Sequence, residues 1–342
     1  MTKEIRTNAA SSGVKLNARV VKDLAARSDR PGLLYLAKWG ALLGVTGALV
    51  LWTVGSLWMW PAMLVYGIVL CVPAYAISHE TAHGTAFKST WINEAVLWVS
   101  SFVYMEEPLH RRYTHTNHHM YTWHVGKDTQ MPFDTPMGLG GWITEVTGLG
   151  LARFHSHVFW LLATRQYSDL MRQACPESVF DKMTRNARIM IAFYAAMLIA
   201  PFFGIWWPVW LFIIPRVLGA PVMLLFTLLQ HVELQENSPS ILESTRSFVT
   251  GPVGAFLYMN MNHHVEHHLY PQVPFHALPD LAEAVGDQVP TPDPGFFRCH
   301  WDVLRVVTRR TFGLSTKARQ VRQAEHMITD GGPIEQFAQR TM

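Results

Sequence analysis

Of the 17 histidines of this 342-residue chain, about half are gathered into three short clusters. His79-Glu80-Thr81-Ala82-His83 is the first, His115-Thr116-Asn117-His118-His119 the second, and His264-Val265-Glu266-His267-His268 the third, with His231 standing alone between the last two. On a helix, positions i and i+4 share a face, as do i, i+3 and i+4, so each cluster presents two or three imidazoles in one direction. Nine imidazoles exceed the three or four ligands that one tetrahedral zinc takes and are enough for two ions. Imidazole suits iron, copper, zinc and nickel alike. Soluble di-iron bundles take carboxylate ligands from paired Glu-x-x-His segments, whereas the clusters here are built on histidine. His79-Glu80-x-x-His83 also matches the zinc-protease motif, with Glu80 as general base. That chemistry would need one further ligand and would leave the other clustered histidines without a role.

The elements that must bring these clusters together are apolar. From Leu33 to Trp52 the only charge is Lys38, and a run of that length crosses a hydrocarbon core of about 30 Å. Thr53–Trp60 holds no Lys or Arg, and a second run follows from Ala62 to Ile77. Arg185 and Arg188 precede a third run, Ile189 to Phe203, and an uncharged turn at Gly204–Pro208 leads into a fourth, Val209 to Leu229. Arg216 within the fourth run is costly in lipid and is expected to face protein or a polar pathway. Charge asymmetry puts the ends of both hairpins, the chain termini and all the histidine clusters in the cytoplasm. Trp91–Met105 and Leu149–Leu162 are apolar stretches broken by polar residues, as in helices lying along a membrane surface.

The expected fold is therefore all-α: an integral membrane protein with four transmembrane helices in two hairpins and a cytoplasmic helical cap holding the metal site. One domain spans the chain, with a basic arm at 1–32, the first hairpin at 33–77, interfacial clusters at 78–188, the second hairpin at 189–230, and the third cluster with a basic tail at 231–342. Composition agrees. Hydrophobic residues make up 49% and charged residues 15%, against about a quarter charged in ordinary soluble domains. A net charge of +3 gives no ground for nucleic-acid binding, and the cysteines, Cys71, Cys175 and Cys299, form neither a CxxC nor a disulfide framework. The polar, basic first thirty residues lack the apolar core of a cleavable signal.

In this order and spacing the chain resembles the membrane fatty acid desaturase/hydroxylase superfamily, from about Leu33 to Ala284. The family pattern is HxxxH, HxxHH, a single His after the fourth span, and HxxHH. The run from Asn260 to Pro271 is similar to the family's extended third box throughout, and Arg111-Arg112-Tyr113 and Gln230-His231 also match. The resemblance implies that His79, His83, His115, His118, His119, His231, His264, His267 and His268 ligate two iron ions. With O2 as co-substrate, these would attack an unactivated C–H bond of a lipid or other apolar molecule. Loss of a second hydrogen gives an alkene, most simply by fatty acyl desaturation, and oxygen insertion gives an alcohol, so the ligand set does not separate desaturase from hydroxylase or monooxygenase.

Metal-bound histidines usually donate their other N–H to a carboxylate or carbonyl, and Glu80, Asp128, Glu233 and Glu266 are the nearest acidic candidates. Asn260 or Asn262 is a candidate to hold a metal-bound water or to cap a turn. His110 and His263 sit beside the boxes but outside the pattern, while His124, His155, His157, His276, His300 and His326 default to surface or packing roles. No heme segment and no flavin or nicotinamide fingerprint is evident, so electrons are expected from a separate donor, a ferredoxin or a b-type cytochrome with its reductase. Between 298 and 322, Arg298, Arg305, Arg309, Arg310, Lys317, Arg319 and Arg322 face a single acid, Asp302. Such a tail would dock an acidic redox protein or rest on anionic headgroups of membrane lipids.

Overall fold

A computed structural model describes residues 12–131 and 135–314; Lys3, Arg6, Lys317, Arg319, Arg322 and His326 lie outside them. Helix α1 (Ala18–Leu24) is opened by the Asn17 side chain, which accepts from the Arg19 N–H. Ser28 does the same for α2 (Asp29–Thr53), whose 25 residues measure about 37 Å at 1.5 Å each, enough to cross a bilayer core. After a five-residue turn, α3 (Met59–His83) returns and ends where Gly84 takes the left-handed conformation, at φ 69°. Helices α4 (Thr90–Tyr104), α5 (Pro108–Met120), α6 (Leu139–Val146), α7 (Leu149–Ala163) and α8 (Asp169–Ala174) follow. The second pair consists of α9 (Phe180–Ile199) and α10 (Ile214–Leu228), the latter entered through a π-helical turn at Val209–Ile213. Short helices α11 (Ile241–Ser244), α12 (Pro252–Leu257), α13 (His264–Leu269) and α14 (Leu278–Val285) precede the final α15 (Phe296–Thr311).

Among the described residues, four helical segments are long and apolar enough to cross a membrane: Asp29–Thr53, Met59–His83, Glu177–Phe203 and Val209–Leu228. The first three extend past the apolar runs seen in the sequence, and the fourth ends one residue short of its run. Helix α3 continues six residues beyond Ile77, through the first histidine cluster, because there protein rather than lipid surrounds it and the hydropathy falls while the helix persists. In its most apolar stretch α3 is 78% buried, against 17–33% for the other three spans. It is the central post, and the others present most of their surface outward. Its contact with α10 is backbone to backbone. A Cβ at Gly67 would fall 2.1 Å from the Pro215 carbonyl oxygen, and one at Gly219 2.0 Å from that of Gly67. Small residues at such crossings let helices approach closely without side chains between them.

Because α3 and α10 both run toward the histidines, the turns at 54–58 and 204–208 lie together at the far end. That end is ringed by exposed Trp52, Trp58, Trp60, Trp206 and Trp207, the aromatic belt expected at a membrane–water boundary. Arg216 in α10 faces protein: its Nε donates to Val103 O (3.1 Å) and its Nη2 to Tyr104 O (2.8 Å). These are C-terminal carbonyls of α4, the negative end of that helix's dipole.

Candidate metal centre

The second span, α3, delivers His79 and His83 on its last turn; α5 carries the second cluster and α13 the third, and His231 follows directly on α10. Helix α5 starts firmly: Glu107 caps it by accepting the His110 N–H at 2.6 Å, with Pro108 at its first position. All nine histidines converge. The ligand atoms of His79, His83, His115, His119 and His267 lie within 4.8 Å of one another, as do those of His118, His231, His264 and His268.

The HxxHH spacing explains the division. At 3.6 residues per turn, i and i+4 diverge by about 40° while i+3 sits about 60° to the other side of i. His115 and His119 therefore point to the group of five, and His118 to the group of four. In the third cluster the roles are exchanged: His264 and His268 serve the group of four, and His267 the group of five. Each HxxHH box gives a pair to one group and a single ligand to the other, while the first box gives both its histidines to the group of five. The stacked rings of His119 and His268, 4.1 Å apart, join the two.

The ring nitrogens divide in the same way. Nδ1 atoms point outward to fixed partners. That of His118 meets Asp128 Oδ2 (2.8 Å), that of His115 meets Gln130 Oε1 (3.0 Å), and that of His231 meets the Ser244 carbonyl oxygen (2.8 Å). These acceptors fix the proton on Nδ1 and leave the Nε2 lone pair directed inward. Inside, Nε2 atoms approach one another: His83 to His115 at 2.9 Å, His115 to His119 at 3.1 Å, His231 to His264 at 3.2 Å, and His264 to His268 at 3.1 Å.

A metal fits this arrangement. Lone pairs facing each other repel, whereas ligands at right angles around an ion with bonds of about 2.1 Å sit about 3 Å apart. His79 and His267 are fully buried, yet neither nitrogen of either ring has a hydrogen-bond partner among the described residues. Buried polar atoms of this kind are rarely left unsatisfied in a folded protein. Burial and the neighbouring imidazoles hold His115, His264 and His268 well below the usual histidine range, and burial with His118 nearby puts His267 at about 3. All are neutral at pH 7, the ligating form.

The remaining candidates have separate fates. Asp128 is buried, and although burial alone would raise its pKa, His118 and the N–H groups of Gln130 and Trp123 hold it below the usual carboxylate range. Glu233 does not touch the histidines. It takes the left-handed conformation at φ 58° and pairs with Arg310, at 2.6 and 2.7 Å. Glu80 accepts the Phe275 N–H at 3.1 Å, and Glu266 accepts from Ser247 Oγ at 2.6 Å. Asn260 and Asn262 donate to the Phe275 and Phe248 carbonyls, at 3.1 Å each, and so brace the turns before and after the third box. His110 pairs with Glu106 at 3.1 Å. Gln130 and the Ser244 carbonyl were not singled out in the sequence. Gln130 is reached through a loop, and a backbone carbonyl leaves no side-chain signal. Thr122, 3.2 Å from His268 Nδ1, and Gln230, whose Nε2 is 3.2 Å from His264 Nδ1, complete the setting.

Fold and site together define a helical integral membrane protein with a twin histidine metal-binding centre. The fatty acid desaturase family model matches residues 55–299, and the chain belongs to that family. It is 24% identical over 233 residues to the sn-1 oleoyl-lipid 12-desaturase of Arthrospira platensis, covering 60% of this chain and 62% of that protein. It is 23% identical over 261 residues to fatty acid conjugase FAC2 A of Calendula officinalis, covering 66% and 68% respectively. Among the described residues His79 and His83 share their group with three further histidines, and Glu80 is tied to backbone, unlike the arrangement of a zinc protease.

Proposed function

We propose that the chain is an O2-dependent oxidoreductase that holds two iron ions in the paired histidine groups and desaturates a fatty acyl chain. The observation that carries this reading is the division of nine imidazoles into adjoining groups of five and four at one end of the apolar spans. The names of both relatives, a lipid desaturase and a fatty acid conjugase, support an acyl substrate. Bound iron would supply the reduction of O2 and the removal of hydrogen from an aliphatic carbon. The chain's own residues set the conditions for that chemistry. Asp128, Gln130 and the Ser244 carbonyl fix three of the ligands in rotation and tautomer. The spans offer an apolar substrate a route from the bilayer, and burial of the histidines keeps bulk water away.

The centre and both termini are proposed to face the cytoplasm, where a ferredoxin or a b-type cytochrome with its reductase supplies electrons. Hydroxylation on the same scaffold has one observation in its favour: the cavity beside His118 and His231 is lined by Glu106, Arg111, Glu145 and His155. Mass spectrometry of lipids and small metabolites from cells with and without the gene separates these outcomes. The proposal expects a product lacking two hydrogens relative to its precursor. A product that has instead gained one oxygen would overturn desaturation in favour of hydroxylation.

A further inference from the structure

A groove of about 500 Å³ runs between α2, α3 and α12, away from the histidines. Leu42 of α2, Val65, Ile68 and Val69 of α3, and Val253 and Phe256 of α12 line it, and every residue of its wall is apolar. Its size is that of a ligand site, about 300–1,000 Å³. Its depth follows from the spans. Val65 to Val69 stand six to ten residues from the start of α3, and Leu42 eleven from the end of α2. At 1.5 Å per residue that is about 9–17 Å from the tryptophan-ringed end, near the middle of a hydrocarbon core of about 30 Å.

Helix α12 roofs the groove on the histidine side. Its Phe256 ring packs on Tyr35 at 5.2 Å, and the Tyr35 hydroxyl donates to the Leu257 carbonyl at 3.4 Å. Tyr35 lies seven residues nearer the start of α2 than Leu42. The 19 residues from Ser247 to Val265 carry no Asp, Glu, Lys or Arg, so nothing charged resists placing α12 at this depth. Val253 turns outward and is 70% exposed.

The apolar run of α2 carries one charge, Lys38, which is exposed. It stands one turn before Leu42, on the same face. Helical side chains lean toward the N-terminus, which in α2 is the histidine-side end, and a lysine at this depth extends its ammonium to the headgroup layer. No acidic side chain among the described residues pairs with it. A hydrocarbon-lined groove with a lone cation at its headgroup edge matches a phospholipid, chain below and phosphate above.

We propose that this groove binds one phospholipid of the leaflet on the histidine side, with an acyl chain along Val65, Ile68 and Val253 and the phosphate at Lys38, and that α12 dips into the same leaflet to cover it. Val69 lies ten residues, about 15 Å, before His79, so the chain held here is not one that reacts. It packs instead beneath the segment that leads, through Tyr258, into the third histidine box.

Native mass spectrometry of the full chain, purified in detergent and stripped of lipid, tests this by titration with dioleoyl phosphatidylglycerol, diolein and oleate. The unaltered protein should take up one phosphatidylglycerol, half-saturating about fivefold below diolein, the advantage one basic residue gives toward an anionic lipid. Lys38→Gln should bring the two together. Val65→Trp, at a residue 48% exposed and so open to a larger side chain, should fill the groove and weaken both by about tenfold. Either variant decides the matter should the other not fold. Equal uptake of phosphatidylglycerol and diolein by the unaltered protein would overturn the inference, as would oleate bound as tightly as phosphatidylglycerol. So would a phosphatidylglycerol preference that survives Lys38→Gln, uptake unaltered by Val65→Trp, or lipid-free dimers, which would give the groove to a second copy of the chain.

Discussion

At the scale of single residues, the account depends on which groups hold the imidazoles in place. Asp128 is bound to His118 Nδ1 at 2.8 Å and anchored by two backbone N–H groups. Asp128→Asn should therefore lower metal affinity at the four-histidine group by about 10–100-fold, seen as iron retained after dialysis against a chelator falling toward one ion per chain. Unchanged retention would show that the carboxylate plays no part. Glu233→Gln should leave iron content unaltered, because that residue meets Arg310 instead. The contrast shows what spacing can convey. The HxxHH boxes announce a shared helical face, and a residue next to a ligand in sequence is a natural candidate partner. Glu233, two residues past His231, is turned away by its left-handed backbone, which nothing in its neighbours' identities signals. The five-and-four division was equally hidden, since it depends on how α5 meets α13. Glu106 supplies a test of pH. Its folded-state value of about 2 lies below its ordinary 4.5, so its contribution to stability is present above about 4.5 and is lost as pH falls toward 2. The gap in unfolding temperature between the unaltered protein and Glu106→Gln should be widest near pH 6 and should shrink on acidification; a constant gap would contradict this assignment.

At the scale of elements, the four apolar runs were plain in the sequence because lipid demands long uncharged stretches. Their helical extents were not, since α3 carries its histidines on a last turn enclosed by protein, where polar residues are tolerated. The close crossing of α3 and α10 was also illegible: Gly67 and Gly219 lie far apart in the chain, and a lone glycine in a span has many explanations. Gly219→Ala places a methyl carbon 2.0 Å from the Gly67 carbonyl oxygen. Overpacking of this kind costs about 1–3 kcal/mol, so the unfolding midpoint in detergent should drop, and an unchanged midpoint would refute backbone contact. For orientation, Ser56→Cys in the turn between the first two spans should react with a membrane-impermeant thiol reagent only from the non-cytoplasmic side. Reaction only from the cytoplasmic side would reverse the proposed topology.

At the scale of the molecule, the centre sits at one end of the spans with α15 beside the fourth of them, Phe296 packing on Phe226 at 4.6 Å. Arg298 and Arg305 are exposed on α15, near the aromatic residues Phe297 and Trp301. The sequence offered Arg310 as part of this basic surface, but its guanidinium is engaged by Glu233. If α15 receives an acidic redox donor, replacing Arg298 and Arg305 by Glu should slow turnover at low donor concentration, and excess donor should restore it. Turnover unchanged at every donor concentration would leave these residues to lipid headgroups.

The central claim is that nine histidines from three boxes and one isolated position hold two irons. Elemental analysis of the purified protein, set against its chain concentration, tests this most directly. The account predicts about two irons per chain, lost in His118→Ala and His267→Ala. A single zinc with no iron in active protein would contradict it.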